Sequence, residues 1–204
     1  MHTQILWIAP TLSLLLGYLL GAIPFGVIVT RAGGAGDLRR LGSGNIGATN
    51  VLRTGRKGLA AATLLLDAAK GAAAVLIVGA LWPGNELLAA AAAFLGHCYP
   101  VWLRFRGGKG VATLLGVALA LSWPVGLVYA GAWLAVLALL RVSSLAGITA
   151  ALSAPVAAAV FDRFDLVILL LSLALILLWK HGANIGRLLA GTEPRVGQVA
   201  DDEA

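Results

Sequence analysis

Seven runs of mostly apolar residues, at approximately 5–30, 58–82, 86–103, 110–123, 124–140, 144–161 and 164–180, fill most of the chain, and apart from the loop over 31–57 the breaks between them are short. A membrane-crossing helix needs about 20 mostly apolar residues, and most of the runs reach or approach that length. A soluble domain could not hide so much apolar surface. Hydrophobic residues make up 60% of the 204 and charged residues only 12%, against about 25% charged in an ordinary soluble domain. A bilayer accepts such side chains on the outside of the molecule, provided the backbone is helical and internally hydrogen-bonded. The expectation is an all-α integral membrane protein, a polytopic helical bundle of about seven transmembrane helices, forming a single membrane-embedded domain over 1–204. The fourth run is short, and only the turn signal Ser122-Trp123-Pro124 separates it from the fifth. A half-helix or re-entrant segment is the alternative there, with five or six spans in total.

Charge placement gives the orientation. Of the 15 Lys and Arg residues, all but Arg163 and Lys70 fall in one alternate set of loops under the seven-span count. The positive-inside rule makes that set cytoplasmic, which puts the N-terminus outside and the C-terminus inside. The net charge of +6 does not point to nucleic acid, because there is no solvent-facing basic stripe and no aromatic platform. Anionic lipid headgroups and small phosphorylated substrates are the expected partners. Cys98 stands alone, so no internal disulfide and no cysteine-rich metal site can form. The N-terminus has no Lys or Arg before its apolar run and no small-residue cleavage site after it. It reads as a first membrane helix rather than a signal peptide. Within that helix Gly17 and Gly21 form a G-x-x-x-G suited to close helix packing. The polar tail over 192–204, ending Asp201-Asp202-Glu203-Ala204, reads as loose.

Three of the cytoplasmic loops carry unusual chemistry. The first reads Gly42-Ser43-Gly44-Asn45-Ile46-Gly47-Ala48-Thr49-Asn50-Val51-Leu52-Arg53. Its glycines allow close backbone approach and an anion nest. Ser43, Asn45, Thr49 and Asn50 add hydrogen-bonding groups, and Arg53 can grip phosphate through two parallel bonds. The spacing also satisfies G-x-G-x-x-G, but no strand precedes it and no βαβ unit can follow, so a dinucleotide site is rejected. The second loop, Phe105-Arg106-Gly107-Gly108-Lys109-Gly110-Val111-Ala112-Thr113, brings a glycine-rich turn and a lysine to a helix N-terminus, a good phosphate cradle. It is not a Walker A loop, because Leu103 stands where the first glycine belongs and Gly110 where Ser or Thr is required. The plain alternative is a basic juxtamembrane anchor. The third segment places His181, Asn184 and Arg187 three residues apart, on one face if the helix continues.

Ser143 and Ser144, after Arg141, read either as a helix cap or as ligand contacts. Asp67 and Lys70 lie inside the second span, where an internal ion pair is the default and substrate contact the minority reading. His97 can line the same cavity as the loops. Several chemistries are absent. No His is followed by Asp five positions on, since His2, His97 and His181 meet Trp7, Trp102 and Gly186. There is no G-x-S-x-G nucleophile elbow and no metal-spaced ligand cluster.

Taken in order, these motifs resemble the bacterial acyl-phosphate:glycerol-3-phosphate acyltransferases, the PlsY family. The likeness rests on Gly42-Ser43-Gly44-Asn45-x-Gly47-Ala48-Thr49-Asn50-x-x-Arg53, on Gly96-His97-x-x-Pro100 with Phe105-x-Gly107-Gly108-Lys109-Gly110-Val111-Ala112-Thr113, and on Lys180-His181-x-x-Asn184-Ile185-x-Arg187-Leu188-x-x-Gly191-x-Glu193. Arg106 stands where many relatives have Lys. The resemblance implies transfer of a fatty acyl group from acyl phosphate to the 1-hydroxyl of glycerol 3-phosphate, the first acylation of phospholipid biosynthesis, in the bacterial inner membrane. It implies no cofactor and no metal. It further implies catalytic roles for Ser43, Arg53, Lys109, His181 and Asn184. Substrate-binding roles go to Gly42, Gly44, Asn45, Thr49, Asn50, His97, Gly107, Gly108, Gly110, Thr113, Ser143, Ser144, Arg187 and Glu193. The expected partners are the two substrates and membrane lipids, with a monomer as the unit. A transporter of a phosphorylated solute or lipid, with Asp67 and Lys70 as coupling groups, is the rival class.

Overall fold

A computed structural model of the chain describes residues 7–197. His2, the start of the first apolar run at 5–6 and the acidic end of the tail, 198–204, lie outside the described residues. Every described element is helical: α1 (Ile8–Gly21), α2 (Phe25–Ala32), α3 (Ala48–Leu52), α4 (Lys57–Leu81), α5 (Glu86–Cys98), α6 (Val111–Leu121), α7 (Trp123–Leu140), α8 (Ser143–Val160), α9 (Phe164–Lys180) and α10 (Gly182–Leu189), with 3₁₀ turns at Leu38–Arg40 and Val101–Leu103. Five stretches are long and apolar enough to cross a bilayer, counting α1 and α2 as one; α9 and α10, bent by 65°, make a sixth if taken together. The outward faces are apolar, with Trp179 at 82% and Ile168 at 79% exposure, as a hydrocarbon solvent demands.

The first apolar run is not one uninterrupted helix. Pro24 lacks an N–H and disfavours helical geometry at Ile23, so the chain breaks after Gly21 and restarts at Phe25. In lipid the freed carbonyls must find donors. Lys70 Nζ donates to Ile23 O at 2.8 Å and Trp102 Nε1 to Ala22 O at 2.7 Å. Lys70 is paired with Asp67 at 2.6 Å, both side chains fully buried. The intramembrane ion pair therefore serves the bundle, because it mends the broken first span.

Small residues let the helices approach closely, as lipid-embedded bundles require. Gly17 and Gly21 of α1 lie on the backbone of Ala89 and Ala93 in α5, and Gly116 of α6 lies on that of Ala68 in α4. Phe94, Leu114, Tyr129, Leu170 and Leu177 fill the main core.

The shortness of α6 has a structural cause. After Pro100 the chain folds back along the end of α5: Gly107 N–H donates to Cys98 O at 3.2 Å and Gly108 N–H to His97 O at 3.0 Å. α6 therefore begins beside Phe94, partway into the bundle. Its 11 residues rise about 16 Å, roughly half of a 30 Å hydrocarbon core. Its far end is capped by Arg163, which donates to Leu121 O at 2.9 Å while paired with Asp165.

Gly21→Val should cost more than about 3 kcal/mol, beyond ordinary overpacking, because the new Cβ meets backbone rather than a movable side chain. Gly131→Ala, which meets nothing within 4 Å, should leave stability unchanged or slightly raised. Thermal unfolding in detergent checks both.

Candidate active site

One cavity gathers residues from all three motif loops. It is lined by Ser43, Asn45, Thr49, Asn50 and Arg53 from the first, by Lys109, Gly110, Val111 and Ala112 from the second, and by His181, Asn184, Arg187 and Glu193 from the third. Ser143 and Ser144 at the start of α8, and Asp67 and His97 from α4 and α5, complete its polar wall.

The first loop is held from beneath by a small separate core of Val27, Leu38, Ile46, Val51 and Ala60. Asn50 is its hub. The Asn50 Nδ2 lies within hydrogen-bond distance of the carbonyls of Leu38, Leu41 and Asn45, at 2.9–3.1 Å, while Oδ1 accepts from Ser43 N–H at 3.1 Å. Gly42 has φ +50°, and a Cβ there would come within 2.5 Å of Asn50 Oδ1. A glycine is thus required by both backbone and space. Arg53 leaves this loop exposed, with no hydrogen-bond or ion-pair partner among the described residues, and so is free to meet an anion.

The second loop delivers two cationic features. Gly110, at φ +90°, starts α6, whose first internal bond is from Leu114 N–H to Gly110 O. The N–H groups of Val111, Ala112 and Thr113 therefore have no partner within the helix, and the positive end of the helix dipole points at the cavity. Lys109 adds a full charge and donates from Nζ to Asn184 Oδ1. Burial pushes its ammonium down to about 8; Glu193 opposes that shift, while Arg187 and Arg53 add to it.

The third segment closes the site around Glu193. Its carboxylate accepts from Ser144 Oγ at 2.6 Å, Asn184 Nδ2 at 2.5 Å and Arg187 Nε at 2.7 Å. Burial raises its pKa, but these three donors outweigh the burial and hold it below the ordinary glutamate range. The tail is therefore docked up to Gly197, where it was expected to be loose: Glu193 is anchored, and Val196 N–H donates to Arg141 O at 2.6 Å. Ser144 does not cap α8, whose N-cap is Val142 with no side-chain hydrogen bond; its hydroxyl is spent on Glu193. The helix also does not continue through the third motif, but bends at His181. His181 Nδ1 sits 2.8 Å from Leu177 O. A carbonyl can only accept, so in the neutral ring Nδ1 carries the hydrogen and Nε2 keeps its lone pair.

Five expected ligand residues lie behind the cavity wall. Gly42 shapes the first loop. Gly44, at φ +68°, lines a different groove on the other side of that loop. Gly107 and Gly108 bond back to α5, and a Cβ on Gly108 would overlap the His97 ring. Thr113 is fully buried against Gly71, its hydroxyl without a partner among the described residues. His97 does face the cavity, with Nδ1 3.6 Å from Asp67 Oδ1, beyond hydrogen-bond distance. Leu64 and Trp133 form an apolar side of the cavity. Sequence reasoning missed both, since one apolar residue among many carries no signal.

The fold and this cavity define a class: a multi-pass membrane protein with a site rich in cationic side chains where its loops meet the end of the bundle. The particular family follows from comparison with known proteins. Residues 11–191 match the family described as glycerol-3-phosphate acyltransferase. The glycerol-3-phosphate acyltransferase of Novosphingobium aromaticivorans is 68% identical over 91% of this chain and 94% of its own, and that of Mesorhizobium japonicum 58% identical over 91% and 95%. Two crystal structures of PlsY (YgiH), an integral membrane glycerol 3-phosphate acyltransferase, superpose closely. Its glycerol 3-phosphate form gives a TM-score of 0.86 at 38% identity, covering 92% of this chain and 96% of that one; its lysophosphatidic acid form gives 0.84 at 36%, covering 91% and 94%. The chain belongs to the glycerol-3-phosphate acyltransferase family.

Lys109 is charged below about 8 and loses its charge as pH rises through that value. Affinity for a phosphate monoester should fall above pH 8, and Glu193→Gln, which removes the opposing charge, should move that fall to lower pH. Calorimetric titration with glycerol 3-phosphate across pH 6.5–9.5 checks both.

Proposed function

We propose that this chain moves a fatty acyl group from acyl phosphate to the 1-hydroxyl of glycerol 3-phosphate, releasing 1-acyl-glycerol 3-phosphate and inorganic phosphate. The observation that carries the reading is the meeting of Arg53, Lys109, Arg187 and the α6 N-terminus at one cavity. Both substrates are phosphates, and both the transition state and the leaving group gather negative charge, so a site of fixed donors and cations stabilises the reaction as well as the binding. The glycerol hydroxyl attacks the carbonyl carbon, the new ester C–O bond forms, and the acyl–phosphate C–O bond breaks with its electron pair leaving on phosphate. Acyl phosphate is a mixed anhydride with a good leaving group, so no covalent enzyme intermediate is needed.

In this scheme Arg53 and Lys109 clamp phosphate and Ser43 orients the carbonyl or phosphate. Asn184 and Glu193 fix the position of Lys109 and Arg187. The loop glycines and Asn50 set the loops in place. The hydroxyl proton has two acceptors: the lone pair of His181 Nε2, or a phosphate oxygen of the substrates. Leu64 and Trp133 give the acyl tail an apolar exit toward the membrane. Lys70 is occupied by Asp67 and by the carbonyl of Ile23 in the first span, which speaks against its serving as a transporter's coupling group.

The same reading places residues 1–204 in one acyltransferase domain of the bacterial inner membrane, with all seven apolar runs crossing or entering the bilayer. The N-terminus is outside and the site on the cytoplasmic face. The charge asymmetry supports that orientation, and a monomer suffices because one chain supplies the whole cavity.

Purified protein given acyl phosphate and labelled glycerol 3-phosphate should form lysophosphatidate; labelled solute taken up into proteoliposomes without chemistry would sink the proposal. Arg53→Ala should lower kcat/KM by roughly 100-fold, of the size expected for a lost charged hydrogen-bonding partner. His181→Ala separates the proton acceptors: near-normal turnover across pH assigns the proton to phosphate, and a loss of about 100-fold or more in kcat assigns it to His181.

A further inference from the structure

The first and second loops have a second face that the acyl-transfer scheme leaves unused. Behind Gly44 lies a groove lined by Arg39, Arg40, Trp102, Arg104 and Arg106, with Asp37 as its one carboxylate. Asp37 is already committed. It accepts from Arg39 at 2.6 and 3.0 Å and from Arg31 at 3.3 Å. The guanidinium groups of Arg40, Arg104 and Arg106 have no hydrogen-bond or ion-pair partner among the described residues. Four arginines thus face one neutralised acid, and the surplus positive charge attracts an anion.

The groove also stands at the right level. Trp102 closes the third apolar stretch, Glu86–Leu103, and its indole is tied to Ala22 of the first. Val101, Trp102 and Phe105 are about half exposed beside the arginines. Apolar and aromatic side chains interleaved with arginine are what a lipid–water interface selects. Arg104 and Phe105 have φ of 52° and 61°, consecutive left-handed residues that are costly without glycine. That turn leaves Arg104 at the groove and Phe105 exposed next to it, while the following glycines run back toward His97. The second loop is therefore divided: Gly107–Gly110 build the cavity, and Arg104–Arg106 form the juxtamembrane anchor.

We propose that this groove binds the phosphate headgroup of an anionic phospholipid of the adjoining leaflet, with the glycerol backbone and acyl chains along Trp102 and Phe105. The site is separated from the acyl-transfer cavity only by the first loop, whose Gly44 faces the groove while Ser43 and Asn45 face the cavity. A bound headgroup therefore braces the loop that carries Arg53. The proposal rests on the membrane orientation proposed above but not on the chemistry of the cavity.

The test uses full-length protein in nanodiscs of phosphatidylcholine with and without phosphatidylglycerol, with lipid retention read by native mass spectrometry and acyl transfer measured in parallel. The wild type should retain phosphatidylglycerol over phosphatidylcholine. The combined variant R40Q/R104Q/R106Q should weaken that preference by about 100-fold, at roughly fivefold per arginine near a charged surface, and R40K/R104K/R106K should restore most of it. Acyl transfer by the glutamine variant in pure phosphatidylcholine should stay within about twofold of wild type, which reports intact folding whatever the lipid result. Equal retention of the two lipids by the wild type, or an unchanged preference in a folded glutamine variant, would overturn the proposal. So would displacement of the retained lipid by millimolar glycerol 3-phosphate, since the groove would then be a site for the soluble phosphate ester. If retention behaves as expected but no acyl transfer occurs in any disc, the groove stands and the reading of the cavity fails.

Discussion

The arrangement of the cavity depends on one carboxylate whose side chain is largely covered. Glu193 lies beyond the last helix, yet it receives donors from α8 and α10 and, through Asn184, reaches the lysine of the folded-back second loop. Hydrogen bonds to a charged group contribute about 1.5–3 kcal/mol each. Three of them offset the cost of removing the carboxylate from water and fix three segments against one another. Without the acid, Lys109, Arg187 and Arg53 would face one another across a small cavity with nothing to balance them, and repulsion would spread the loops. With it, the site keeps surplus positive charge for phosphate while its cations stay in fixed positions.

The bilayer imposes the other constraint. Backbone groups freed inside hydrocarbon must be paired again, and the molecule uses this in two places. The break before Pro24 offers two carbonyls, which fix Lys70 and Trp102. The return of the second loop along α5 satisfies Gly107 and Gly108 and starts α6 at the depth of the cavity. A helix that begins within the bundle directs its unpaired N–H groups at whatever occupies the space before it. The short fourth apolar run is the consequence of starting its helix at that depth.

Much of this was legible in the residues. Each apolar run is built of helix, though the first and third are broken, and the G-x-x-x-G at Gly17 and Gly21 packs on α5 as its spacing suggested. The ion pair of Asp67 with Lys70 forms. Cys98 is buried. All three motif loops converge on one cavity. What escaped was the division of labour within the motifs. Gly42 looks like a ligand group in a string of letters but lies behind the cavity wall, and Asn50, which lines the cavity, also holds the loop together by its hydrogen bonds. Ser144 looked like a helix cap because its partner, Glu193, lies 49 residues away in a tail that composition marked as loose. Hydropathy could not show that the second loop turns inward after Arg106, since that depends on two left-handed residues and on carbonyls at the end of α5. The apolar wall at Leu64 and Trp133 was invisible for the opposite reason, since their types are the commonest background in a membrane chain.

The dependence of the site on the Glu193 node is measured most directly by a double-mutant cycle between Lys109 and Glu193. Lys109→Met, Glu193→Gln and the double variant would be compared in kcat/KM for glycerol 3-phosphate. If the acid acts by positioning and balancing the lysine, the double variant will be little worse than Lys109→Met, with a coupling energy above about 1 kcal/mol. Losses that simply add would show that Glu193 and Lys109 work independently, and would contradict a site organised by that carboxylate.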